Sequence, residues 1–142
     1  MTVADDALQA LLSRCQQDHQ SWINGDGSPY VLPDDGTIMG AVGGYNLGGA
    51  ETAERRAAVA RQWRSGTGDI EFVNGGASDD LAWLVMIERA TVVVDPERGK
   101  QRWDVCVTEV FRRINDSWER VHRHADPLVD RRTATDAASL LQ

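Results

Sequence analysis

Val107-Thr108-Glu109-Val110-Phe111-Arg112-Arg113 runs to a polar turn at Asn115-Asp116, and Trp118 to Ala125 follows, closing on Val121-His122-Arg123-His124-Ala125-Asp126-Pro127-Leu128. Apolar and β-branched residues two apart on either side of a two-residue polar turn predict an antiparallel hairpin. The same period of two extends upstream through Arg102 to Ile114, Leu81 to Val94 and Asp69 to Val73. Asp95-Pro96-Glu97-Arg98-Gly99, and the stretch from Asn74-Gly75-Gly76 to Asp79-Asp80, read as the turns between them. Long strands joined by short connections make an antiparallel meander.

Before residue 69 the period changes to 3.6. Ala53, Ala57, Val59, Ala60 and Trp63 place an apolar stripe on a helix over Glu51 to Arg64, ended by Ser65-Gly66-Thr67-Gly68. Leu8, Leu11, Leu12, Cys15, His19, Trp22 and Ile23 do the same for a first helix, with Asp5 or Asp6 as its N-cap and Asn24-Gly25-Asp26-Gly27 as its stop. Between them, Ser28 to Asp35 has few apolar anchors, Thr37-Ile38-Met39 is a short strand, and Gly40, Gly43, Gly44, Gly48 and Gly49 follow. Thr133 to Gln142 reads as a weak helix or a tail. Helices followed by strands predict an α+β fold with helices packed on one face of a curved sheet. With no internal repeat and no linker, residues 1–142 read as one domain.

Composition narrows the function. The 142 residues are 42% hydrophobic and 26% charged, a globular composition. Fifteen Lys and Arg against 22 Asp and Glu give a net charge of −7, which argues against nucleic acid and anionic membrane as partners. Leu81 to Ile87, the longest apolar run, is too short to span a bilayer. Cys15 and Cys106 are too few for a disulfide framework, and Met1 to Asp6 has no basic or apolar leader region, so the expected location is the cytoplasm. Five of the nine aromatic residues are Trp, which suits a rigid amphipathic lining.

The Thr-Glu-Val-Phe-Arg-Arg and His-Arg-His-Ala-Asp-Pro strings resemble the closing hairpin of SnoaL-like and ketosteroid-isomerase-like proteins of the nuclear-transport-factor-2-like superfamily. Asn24-Gly25-Asp26 after the first helix, Thr37 to Gly44, and Asp79-Asp80-Leu81-Ala82-Trp83 resemble the same group. The resemblance covers about residues 7–128 and leaves 129–142 as a C-terminal tail or short helix. It implies a cone-shaped half-barrel with helices on the concave face of the sheet and a pocket between them. It also implies a homodimer through the outer face. Fold alone does not give function. Aligned by the same motifs, the isomerase's carboxylate base falls at Gly40 and its oxyanion tyrosine at Asp18, and neither residue can do that work. Relatives of this motif usually carry Arg where this chain has Cys106, so a fixed cation is missing from that position.

His122 and His124 are two apart, and parity puts them on one strand face with Trp118 and Arg120, while Val121, Arg123 and Ala125 take the other. They are candidate catalytic or ligand-binding groups, or else structural residues at a sheet end; Asp126 orients one of them or bonds the turn before Pro127. A metal would need a third and fourth ligand, with only His19 and Asp126 on offer, so no metal or cofactor is expected. Thr108 and Arg112 share a face of the preceding strand and are further candidate ligand-binding residues. Trp22, Trp63 and Trp103 line a pocket with Tyr30 and Met39, or build the core. Glu88 and Arg89, adjacent in mid-strand, face opposite sides, so one of them is expected to enter the pocket or the dimer face while the other sees solvent. The expected function is binding of a small apolar or weakly polar organic molecule, with isomerase- or cyclase-type acid–base turnover left open. The alternative is a non-catalytic dimerisation or partner-binding module.

Overall fold

A long helix opens the computed structural model, which describes residues 3–141. This helix, α1 (Val3–Ile23), buries Leu11, Cys15, His19 and Ile23, four residues spaced four apart. Asp5 and Asp6 lie inside its first turn, where their charge meets the positive end of the helix dipole. A 3₁₀ turn, Ser28–Tyr30, sinks Tyr30 into the interior, and Leu32 follows it, so the expected gap in apolar anchors holds two core residues.

Strands β1 (Thr37–Met39), β2 (Tyr45–Leu47), β3 (Arg64–Ala77), β4 (Leu81–Val93), β5 (Gln101–Arg102), β6 (Val105–Ile114) and β7 (Ser117–Pro127) form one sheet. Their order is β2-β1-β7-β6-β4-β3, with β5 also pairing β4. Every pairing is antiparallel except that of β1 with β7. The sheet is curved and unclosed, and α1 packs over β3 and β4. Helix α2 (Ala50–Ala60) lies against the 3₁₀ turn and β2, and a short α3 (Ala134–Ala138) is capped by Thr133. This is the expected α+β cone; Gln142, the end of the expected tail, lies outside the described residues.

The differences from the sequence reading have local causes. The β1–β2 hairpin hides in the glycine run, because Gly43 and Gly44 take positive φ to make its turn. β3 is far longer than Asp69 to Val73, and two glycine clusters read as stops lie inside it. A Cβ on Gly68 would come within 2.5 Å of Ile23 and 2.7 Å of the Arg89 carbonyl, and one on Gly76 within 2.7 Å of the Trp83 indole. Glycine in these strands admits a close neighbour. Trp103 and Asp104 break the strand expected over Arg102 to Ile114 into β5 and β6.

The decisive difference is in β7. Val110 pairs with His122 but Phe111 pairs with Arg120, so Val121 is an extra residue, a β-bulge. Simple parity fails across it. Arg120 turns inward and shares the concave face with Arg123 and Ala125, not with the two histidines.

Gly68→Ala should destabilise the fold by about 1–3 kcal/mol, because the methyl group has no space against α1. Gly40→Ala, with nothing within 4 Å of the new carbon, should stay within about 0.5 kcal/mol of wild type. Urea denaturation of the two variants checks both.

Candidate functional site

The concave face is mostly apolar. Ala82, Leu84 and Met86 from β4, Val105, Val107 and Phe111 from β6, and Ala125 from β7 meet Leu11 and Cys15 of α1. Strand alternation also carries Glu88 and Glu109 inward, in phase with those residues, and leaves Arg89 outside with Glu71 and Asp104. The two buried carboxylates are answered by the two arginines of β7. Arg123 donates to both oxygens of Glu88 (2.9 and 2.8 Å) and reaches Glu109 Oε2 at 3.1 Å. Arg120 donates from Nε to Glu109 Oε2 at 2.7 Å, from Nη2 to Asp18 at 2.9 Å and from Nη1 to the Pro29 carbonyl at 2.9 Å. Cys15 Sγ donates to Glu109 Oε1 at 3.3 Å.

This chain, Glu88–Arg123–Glu109–Arg120–Asp18, ties three strands to α1 and the 3₁₀ turn. Both guanidinium groups also lie over Tyr30, 4.7 and 4.8 Å from its ring centroid. Burial pushes the Glu109 carboxyl up, but Arg120 and Arg123 together outweigh it and hold the group below the usual carboxylate range. Burial, reinforced by Glu109, pushes the Cys15 thiol far up, so it is a hydrogen-bond donor and not a nucleophile. Burial, then Glu88, raises Tyr30, which stays a neutral phenol.

Where the charged floor ends, a cleft opens. It encloses about 50 Å³ and opens to solvent at its mouth. Trp22, Trp63 and Trp103 form its wall, edge to face, at centroid distances of 5.9 Å and 4.8 Å, and Tyr30 meets Trp22 at 5.5 Å. These spacings suit aromatic pairs. Ile38, Val59, Val105 and Ala125 add apolar surface, and Gly40 to Val42 form part of the lining from the β1–β2 turn. The polar groups are His19, Glu88, Arg123 and Arg56. His19 Nε2 lies 3.2 Å from the Arg89 carbonyl, to which it can donate, and Nδ1 lies 3.7 Å from Glu88 Oε1.

The residues singled out from sequence therefore divide. Trp22, Tyr30, Trp63 and Trp103 line the cleft. Met39, Thr108, Arg112, His122 and His124 do not. Thr108 and Arg112 alternate with the inward residues of β6, so they stand on the convex face, and Arg112 is held there by Asp35 and Glu119. His122 Nδ1 is 2.7 Å from Thr37 Oγ1, and half-exposed His124 faces Asp126 at 3.2 Å. Met39 sits beside His124 in the β1–β7 register. Cys106 is exposed on the same outer face, so the cation missing there does not bear on the cleft. Asp18, at the expected tyrosine position, is bonded to Arg120, and Gly40 lines the cleft without a side chain. Sequence reasoning passed over Glu109 and Arg56. Two acids in phase with buried strand residues were the available signal.

A family model for the SnoaL-like domain matches residues 30–130. The chain belongs to the SnoaL-like family. The match begins at Tyr30, so α1, which carries Cys15, Asp18 and His19, precedes it. Among solved structures, a protein of the nuclear-transport-factor-2-like family from Streptomyces avermitilis, assigned as a dehydratase, superposes on this SnoaL-like chain with a TM-score of 0.71 at 18% identity, over 89% of this chain and 98% of that one. A superfamily member from Salmonella enterica gives 0.69 at 14% identity, over 89% and 94%. The association domain of the calcium/calmodulin-dependent protein kinase II of C. elegans gives 0.60 at 16%, over 85% and 96%. At such identities the likeness is one of fold. No curated protein matches the sequence.

Glu109→Gln should cost about 3–5 kcal/mol at neutral pH, since it leaves Arg120 under-compensated in the interior. The folded carboxyl is held below its ordinary value, so its contribution is complete above the unfolded value of about 4.3 and is lost as pH falls through the folded one. The gap between wild type and variant should narrow below about pH 4.3. Chemical denaturation across pH 3–7 measures it; a gap constant with pH would contradict the assignment.

Proposed function

We propose that this SnoaL-like protein binds a small, flat organic molecule in the tryptophan-walled cleft. The observation that carries the reading is an aromatic wall opening onto an ion-paired polar floor, the arrangement that orients a mostly apolar ligand by a few fixed polar groups. The fold family and the dehydratase assignment of one structural relative support it. The polar end belongs to His19, Glu88 and Arg123, in place of the His122/His124 pair on the convex face.

Acid–base turnover of the isomerase or cyclase type would run through His19. Both oxygens of Glu88 accept hydrogen bonds from Arg123, so neither is left open toward a ligand. Imidazole is suited to proton exchange near neutral pH, and Nδ1 of His19 stands 3.7 Å from Glu88 Oε1 at the polar end of the cleft. One observation favours a second role as an assembly module. Leu81 and Trp83 are exposed on the convex face, with Val85, Ile87 and Val110 half-buried beside them. Self-association through that face gives a homodimer with the cleft left open, and the likeness to a kinase association domain accords with it.

A thermal-shift screen with one- and two-ring aromatics should find compounds that raise the melting temperature. Ala41→Phe, which fills the cleft, should abolish the shift, whereas His124→Ala should leave it unchanged. No shift in wild type with any compound would sink the binding reading. Sedimentation at micromolar concentration should give a dimer that Trp83→Asp converts to a monomer; a wild-type monomer would exclude the assembly.

A further inference from the structure

Among the described residues, Arg56 is the one cleft-lining cation that no acid answers. It projects from α2, is only 7% exposed, and stands 5.7 Å from the Trp22 ring centroid. Asn46 Oδ1 accepts from Nη2 at 3.1 Å, taking one of five N–H donors. Nε is buried with no hydrogen-bond partner, and among the described residues no carboxylate lies within ion-pair distance of the side chain. The contrast with Arg120 and Arg123 is complete, since each of those meets two carboxylates. Burial, and then the like charges of Arg123 and Arg55, push the Arg56 guanidinium down to about 10. A charge removed from water without a partner is strongly unfavourable, and here it faces a space able to receive one.

We infer that Arg56 receives the carboxylate of the ligand, so that the cleft takes a flat apolar monocarboxylate with its ring body against Trp22, Trp63 and Trp103. This rests on the binding reading above and narrows its ligand to an anion. One unpaired cation matches one negative charge. A phosphate dianion would bring a second charge into a cleft that already holds Glu88, so a carboxylate fits better. The guanidinium fork also suits the two oxygens of a carboxylate.

The test is calorimetric titration of the whole chain with acid and amide pairs of one shape: benzoate with benzamide, cinnamate with cinnamamide. Wild type should prefer the acid by roughly tenfold or more. In Arg56→Met the preference should vanish, with the amide bound about as tightly as by wild type. Arg56→Lys keeps the charge without the fork and should prefer the acid more weakly. If Arg56→Met does not fold, the wild-type pairs and the Lys variant decide. Acid and amide binding equally to wild type, or a preference that survives Arg56→Met, would overturn the inference while the cleft reading stands. Neither form binding to wild type would overturn both.

Discussion

Two arginines three residues apart on a regular strand point to opposite faces. In this protein Arg120 and Arg123 both point inward because β7 carries one extra residue at Val121. The rest of the interior depends on that bulge. Glu88 and Glu109 are committed to the concave face by the alternation of β4 and β6; Glu88 would lose its arginine if Arg123 were turned out, and Glu109 would keep only one of its two if either were. The bulge bends the strand where the sheet must curve and supplies the second cation at the same place.

The ion-pair chain also decides where the cleft can be. Arg120 fastens Asp18 of α1 and the carbonyl of Pro29, so the helix and the 3₁₀ turn are fixed relative to the sheet. Tyr30 then lies against both guanidinium groups, and its edge contact with Trp22 begins the aromatic wall that Trp63 and Trp103 continue. The apolar wall and the polar floor are thus one construction. Replacing the floor by hydrocarbon of equal volume would keep the packing and lose the groups that hold Tyr30 and His19 in place.

Much of this was legible in the sequence, and what was not has a definite physical origin. The closing hairpin, both main helices and the α+β order follow from periods of 2 and 3.6. The length of β3 does not, because Gly66, Gly68, Gly75 and Gly76 resemble turn residues until a neighbour is known to press on each. The two-residue periodicity that ranked His122 and His124 with Arg120 holds only on an uninterrupted strand, and a bulge leaves no mark in composition. The three cleft tryptophans could be guessed from their apolar neighbours, whereas the polar groups beside them could not, since their facing depends on register. Glu109 was the most readable of the missed residues: it alternates with Val105, Val107 and Phe111, and an acid in that phase demands a cation nearby.

The unequal treatment of buried arginines is the feature that separates structure from function here. Local consistency governs Arg120 and Arg123, where every nearby acid finds a base and the net effect is to secure the fold. Arg56 breaks that consistency while sharing the same interior, with Arg55 and Arg123 adding like charge. A fold that needed Arg56 only to hold α2 against β2 could use the contact of Thr52 with the Leu47 carbonyl and an apolar residue at position 56. A guanidinium there raises the free energy of the empty protein, and places where a chain departs from its own packing rules without structural return are where binding groups are found. Among the described residues the one acid lining the cleft, Glu88, is already taken by Arg123, so the charge that would complete the pattern is one the ligand would bring.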